Sequence, residues 1–259
     1  MDDTNWLRQT KDKPLFPDIL WSRPENKTHA GKLLIIGGNQ HAFSTVASAY
    51  NYALNAGIGS VRTIMPDRLR KTIGKIFPEA EFAPSSLSGS FSKLALAMLL
   101  DEANWANGVL LAGDFGRNSE TAILLDSFVE KYRGLLGLSG DSIDYFIKHP
   151  EQIVNRDNTI IICEFGQAQK LLAGQVLLKH DMDLKLLVER LADFTKKTMA
   201  LIITQHSDNI VISCQGRVST TPDTLSLKQL ASAVIVYALQ NPNKIFEATT
   251  SAIYELINK

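Results

Sequence analysis

Residues 27–66 read KTHAGKLLIIGGNQHAFSTVASAYNYALNAGIGSVRTIMP, and the architecture builds outward from them. Leu33-Leu34-Ile35-Ile36 is an unbroken apolar run that ends at Gly37-Gly38. Such runs suit strands buried on both faces, as in parallel sheets. Phe43, Val46, Ala47, Tyr50 and Leu54 then recur at helical spacing, and Gly57 closes that helix as its C′ residue. Ser60–Ile64 predicts the next strand, ended by Pro66. A strand, a glycine turn, a helix and a second strand make a parallel crossover unit.

The pattern repeats downstream. The sequence predicts a helix near 91–100, a strand over 109–112 and a turn at Gly113-Asp114-Phe115-Gly116. Asn118 or Ser119 caps a helix carrying Leu124, Leu125, Phe128 and Val129. Strands follow at 135–138 and 159–162, then a helix through Leu172 that stops at Gly174. Leu184, Leu187, Val188, Leu191 and Phe194 mark an amphipathic helix before a strand at 200–203. Residues 209–213 and 217–219 form a hairpin turning at Gln215-Gly216. Two final helices, 228–239 and 244–257, are split by Pro242.

Residues 1–30 are polar and hold Pro14, Pro17 and Pro24, so they read as an N-terminal arm. A short helix is expected around Trp6, with Trp6, Phe16 and Trp21 pinning the arm to the body or to a neighbouring subunit. No composition break follows, so residues 31–259 read as a single α/β domain: a mostly parallel central sheet with helices on both faces. In such sheets ligands bind outside the carboxyl ends of the strands.

Composition narrows the partners. Lys+Arg and Asp+Glu balance at 27 each, so no global field attracts nucleic acid or an anionic membrane. Met1-Asp2-Asp3 is acidic and unlike a signal peptide, and no apolar stretch nears the roughly 20 residues of a membrane span. Cys163 and Cys214 sit in apolar runs and read as buried free thiols of a reducing compartment, so a cytoplasmic location is expected. His29, His41, His149, His180 and His206 are scattered, none at metal-ligand spacing, and no metal is expected. No G-x-S-x-G nucleophile elbow occurs. Arg68-Leu69-Arg70-Lys71 reads as a solvated helix face.

Gly37-Gly38-Asn39 opens a helix directly after a strand, which suits an anion held by backbone N–H groups. The third glycine of G-x-G-x-x-G and a Walker lysine are both missing. A plain tight turn fits equally well. Gly57-Ile58-Gly59 follows a helix instead of a strand and reads as a helix cap.

Residues 27–66 resemble the opening of the ADP- or ATP-dependent NAD(P)H-hydrate dehydratases, metabolite-repair enzymes of the ribokinase-like superfamily. Gly37, Gly38, Gly57 and Gly59 match, while Asn39 and Ile58 replace a Ser and an Ala. Pro78-Glu79 matches a Pro-Glu of the family. Val109–Arg117 resembles its Gly-Pro-Gly-Leu-Gly-Arg turn, retaining Gly113, Gly116 and Arg117 but not the residues at Asp114 and Phe115. The resemblance implies a ribokinase-like fold. It implies that ADP or ATP phosphorylates the added hydroxyl of a hydrated NAD(P)H, after which phosphate leaves. The dinucleotide would lie over Gly37, Gly38, Asn39, His41, Gly113, Asp114 and Gly116, with Asp141 as a nearby carboxylate. The phosphate donor would lie by Gly166, Gln167, Ser226 and Lys228. Family members also imply a homo-oligomer and, for an active enzyme, a separate epimerase partner.

The C-terminal half departs from that pattern. An Asp-Ala-Asp is reduced to Asp141 within Leu138–Ser142, with Asp144 one turn on. Thr-Pro-His-x-Gly-Glu becomes Ile162–Gln167, where Gly166 survives and Gln167 replaces the Glu. A Lys-Gly is lost near Gln205-His206. The family's Gly-Thr-Gly-Asp, an anion hole with its catalytic base, becomes Leu225-Ser226-Leu227-Lys228. Lys228 donates protons at neutral pH and puts a cation at the positive end of a helix, which a bound phosphate would offset. Ser226 with Gln229 alternatively forms a capping box ahead of a buried stripe of Leu230, Ala233, Val234 and Tyr237. Asp223 is the upstream carboxylate that could replace the lost base. The expected protein is a divergent, catalytically impaired relative, a pseudoenzyme that still binds a nucleotide or dinucleotide. An active dehydratase and a ribokinase-like small-molecule kinase are the alternatives.

Overall fold

Isoleucines, leucines and valines in short runs give strands that cannot face water on either side, and the sheet they form is covered twice. The computed structural model describes residues 5–259. The acidic Met1–Asp3 therefore lies outside the described residues. The strands are β1 Trp6–Arg8, β2 Lys32–Gly37, β3 Ser60–Pro66, β4 Ala80–Ala83, β5 Gly108–Gly113, β6 Leu135–Ser139, β7 Thr159–Ile162, β8 Leu201–His206, β9 Asn209–Cys214 and β10 Arg217–Thr221. The α-helices are α1 Pro17–Trp21, α2 Ser44–Asn55, α3 Arg70–Ile73, α4 Leu96–Trp105, α5 Ser119–Lys131, α6 Glu151–Val154, α7 Phe165–Leu172, α8 Leu184–Thr195, α9 Leu227–Gln240 and α10 Ile245–Ile257.

Among the described residues the strands form one ten-stranded sheet in the order β1-β10-β9-β8-β7-β6-β5-β2-β3-β4. Pairings are parallel except that β9 runs antiparallel to β8 and β10. Leu34, Ile36, Val109 and Leu111 pack under α4, α5, α7 and α8 on one face. Leu33, Ile35, Leu110 and Ala112 pack under α2, α9 and α10 on the other. No helix among the described residues is long and apolar enough to cross a membrane.

Local signals mostly give the expected elements. Gly57 adopts φ +83° just past α2, as a C′ residue should. Asn118 caps α5 through its side chain, accepting from Glu120 N at 2.8 Å and Thr121 N at 3.1 Å. The hairpin turns at Gln215 and Gly216, both at positive φ.

Other expectations are corrected. Trp6 lies in a strand, not a helix, because residues 6–8 pair with the open edge of β10. The helix expected near 91–100 starts as a 3₁₀ turn at Lys93–Ala95 and continues as α4 to Trp105, with Ser92 accepting from Leu94 N at the start. β4, which pairs with the far edge of β3, was not anticipated. Trp6 and Phe16 do pin the arm, Trp6 through Thr220 Oγ1 at 3.1 Å and Phe16 edge-on against Phe246. Trp21 is 88% exposed and pins nothing within the protomer among the described residues. Cys163 is buried, and burial pushes its thiol up to about 12. Cys214 is only half-buried, because it borders the hairpin turn.

One buried cation ties the amino edge of the sheet together. Arg156 donates from Nη1 to Asp157 O and Thr159 Oγ1, both at 2.9 Å. Its Nη2 donates to Tyr132 O at 2.6 Å and Gly134 O at 2.9 Å. The loop entering β6 is thereby bonded to the loop entering β7.

Candidate functional site

Crossover connections bring the carboxyl ends of β2, β5 and β6 side by side, and their loops meet there. Gly38 N donates to Gly113 O at 3.0 Å, which joins the first two loops. Asn39 closes its own loop: its backbone N donates to Ala42 O at 2.8 Å, and its Oδ1 accepts from His41 N at 2.8 Å. Asn39 Nδ2 then crosses to Asp114 O at 2.6 Å. His41 is exposed on the rim, with its ring nitrogen 2.9 Å from Gln40 Nε2.

Backbone donors at this edge are answered by the protein's own carboxylates. Helix α2 begins after Phe43, a residue with no capping oxygen. Asp114, at φ +61°, supplies one from the neighbouring loop, and its Oδ2 accepts from Thr45 N at 2.9 Å. Asp141, just past β6, takes the next pair. Its Oδ1 accepts from Phe115 N at 3.1 Å and its Oδ2 from Gly116 N at 2.9 Å. Tyr145, one turn further along the 3₁₀ segment Gly140–Phe146, donates to Gly116 O at 2.5 Å. Burial raises the Asp141 carboxyl above the usual carboxylate range; the two amide bonds pull it down, and Asp114 and Asp144 push it up.

Beside this turn lies a cleft of about 580 Å³ lined by Arg117, Asn118, Asp141, Asp144, Tyr145 and Lys170 among others. Gln167 ties α7 to the segment that carries Asp141 and Asp144. Its Oε1 accepts from Glu164 N, forming a capping box on α7, and its Nε2 donates to Gly140 O at 2.9 Å and Asp144 Oδ1 at 3.1 Å. Gly166 has open space where a side chain would stand. A groove of about 730 Å³ opens at the opposite, amino edge among Asp126, Glu130, Arg133 and Glu151. It lies away from the strand ends where ligands bind in such sheets.

The start of α9 is built differently from expectation. The capping box of Ser226 and Gln229 does not form: Ser226 makes no side-chain cap bond among the described residues, and Gln229 lines a groove between α2, α9 and α10. Ser226 and Lys228 are exposed, so water can serve the first-turn N–H groups. The segment before the helix is held by Gln205 at the end of β8, whose Nε2 donates to Leu225 O at 2.8 Å while its Oε1 accepts from Leu225 N at 2.9 Å. Asp223 Oδ2 is paired with Lys11 Nζ at 2.7 Å, and its Oδ1 accepts from Thr224 N at 2.7 Å. The hydrogen bond from Lys11 leads the causes that hold its carboxyl below the usual range. The stripe of Leu230, Ala233, Val234 and Tyr237 is buried as expected.

Thus Gly37, Gly38, Asn39, Gly113, Asp114, Gly116 and Asp141 come together, Gln167 joins them through Gly140, and Ser226, Lys228 and Asp223 stand at the head of α9. Sequence reading missed Tyr145, and it named Gln205 only as the place of a lost Lys-Gly, not as the residue that holds Leu225. Tyr145 falls four residues after Asp141, a spacing that could have flagged it, whereas nothing local marks the bond between Gln205 and Leu225. Gln205→Ala is expected to cost about 1 kcal/mol, the net worth of such hydrogen bonds. The matching observation is faster hydrogen exchange at Leu225 than at Leu230 when the two proteins are compared.

No family profile matches the chain, and no curated protein matches its sequence. Solved structures do match it over most of its length. A ribokinase-like superfamily protein from Enterococcus faecalis V583 superposes with a TM-score of 0.73 at 16% identity, over 97% of this chain and 87% of that one. The ADP/ATP-dependent NAD(P)H-hydrate dehydratase from Bacillus subtilis, co-crystallised with ATP/Mg2+, gives 0.58 at 12% identity, over 89% and 79%. A phosphomethylpyrimidine kinase from Clostridium difficile 630 gives 0.56 at 10% identity, over 88% and 100%. At such identities the likeness establishes the architecture alone. The fold is ribokinase-like, with a mostly parallel sheet between two helical layers.

Proposed function

We propose that this protein is a divergent relative of the NAD(P)H-hydrate dehydratases that has lost phosphoryl transfer and keeps a ligand cleft beside residues 113–118. The construction of the α9 entrance carries this reading. Phosphoryl transfer needs bare donors facing the charge that develops on the phosphoryl group, and a base for the attacking hydroxyl. At that entrance stand Leu225 and Leu227, with the Leu225 backbone already bonded to Gln205. Lys228 is an exposed cation, and the Asp223 carboxylate is paired with Lys11. These groups do not fit a magnesium–triphosphate.

What remains is binding. Arg117 and Lys170 bring positive charge to the cleft wall, which suits a nucleotide or dinucleotide. An active dehydratase or a small-molecule kinase would need the same missing base and donors.

The test is direct. With hydrated NADH and either ADP or ATP, recovery of NADH absorbance is expected to stay at the uncatalysed rate. Robust turnover that vanishes in Asp223→Ala or Asp141→Ala would overturn the reading. Thermal shifts with NAD(P)H, ADP and ATP report the binding half, and at least one of the three is expected to stabilise the protein.

A further inference from the structure

At the carboxyl edge several backbone donors are answered by side chains of the protein itself. Thr45 N is taken by Asp114, Phe115 N and Gly116 N by Asp141, and Leu225 N by Gln205. Successive backbone N–H groups at a turn are the groups that otherwise hold phosphate-type anions. Here each of these is met by an oxygen of the protein itself, and two of the three occupants are carboxylates.

We propose that Asp141 is a resident anion that sets the ligand specificity of this cleft: its carboxylate fills the Phe115–Gly116 amide pair and bars phosphate-type ligands from it. Three features support this. Both carboxylate oxygens are engaged, one on each amide, as an incoming oxyanion would be. Tyr145 holds the turn from its other side through Gly116 O, so the amides keep their direction when the carboxylate is removed. The cleft beside the pair is open, with Arg117 and Lys170 on its wall. A phosphorylated ligand must therefore address those two side chains and leave the turn amides alone. The inference rests on the preceding reading only in taking this cleft as the ligand site.

The probe is inorganic pyrophosphate, followed by the backbone amide resonances of Phe115 and Gly116 at neutral pH. In the wild type these two resonances are expected to stay in place. In Asp141→Ala, and in Asp141→Gly should the alanine variant fold poorly, they are expected to move saturably, with pyrophosphate binding at least tenfold tighter than in the wild type. Asp126→Ala, in the groove at the opposite edge of the sheet, removes a carboxylate while leaving the amide pair filled and should behave as the wild type. Saturable movement of both amides in the wild type would overturn the proposal, and so would silence in a folded variant lacking the Asp141 carboxylate. The wild-type arm decides even if neither variant folds. Turnover of hydrated NADH together with amides that stay silent in the wild type and move in Asp141→Ala would sink the functional reading while sustaining this one.

Discussion

Gly37→Ala is expected to lower stability by about 3 kcal/mol, the upper end of ordinary overpacking. A Cβ at that position would stand 2.4 Å from Gly113 O and 2.9 Å from Val46 Cγ2. The register between β2 and β5 shifts between Ile36 and Gly37, which sets Gly37 opposite Gly113. The obstructing oxygen is also the acceptor for Gly38 N, so it cannot retreat without breaking a bond between central strands. For a protein of this size about 3 kcal/mol corresponds to a fall in Tm of roughly 6–12 °C. Gly166→Ala is the control. Nothing lies within 4 Å of its new methyl, and its effect should stay within about 0.5 kcal/mol. Equal melting temperatures for the two variants would refute the packing account of the first glycine pair. Gly37 is thus demanded by the approach of two backbones, whatever binds above it.

Arg156→Met should cost a similar amount, about 2–4 kcal/mol, since buried acceptors stripped of a donor lose more than the net worth of the bond. Arg156 is 8% exposed, and methionine keeps much of its length while removing every donor. Tyr132 O, Gly134 O and Thr159 Oγ1 then lose the donor that Arg156 supplies, while Asp157 O keeps only the Thr159 hydroxyl at 3.2 Å. Nε has no partner among the described residues, which lowers the net contribution without reversing it. Burial also depresses the guanidinium pKa, so the charge is held at a cost that the carbonyls offset. Denaturant unfolding measures the change; a midpoint within error of the wild type would show that water reaches those carbonyls.

Local pattern was informative where an element's partner hardly mattered. The strand at 32–37 is apolar from Leu33 onward, so it had to lie in the middle of a sheet, and the helix at 44–55 had to cover it. Asn118 and Gly57 announced the ends of their helices because capping is a contact between near neighbours. Two edge strands escaped notice for the opposite reason. Trp6–Arg8 and Ala80–Ala83 are short, and what makes them strands is the unpaired edge each one meets. The helix-start pattern at Ser226 was legible but did not operate, because the backbone ahead of it is bonded to Gln205 on another strand.

The candidate site divides along the same line. Chain order alone placed Gly37, Gly38, Asn39, Gly113, Asp114 and Gly116 at strand ends, because parallel crossovers return every such turn to the same edge of the sheet. The chain's own letters also determined that the head of α9 carries Leu225, Leu227 and Lys228, with no glycine or acid in that turn. Tertiary structure alone decided which oxygen answers which amide: Asp114 reaches α2, Asp141 reaches 115–116, and Lys11 takes Asp223. Periodicity and turn chemistry are properties of neighbours along the chain, whereas a hydrogen bond spanning 26 or 69 residues exists only after the sheet has set both ends within 3 Å or so of each other.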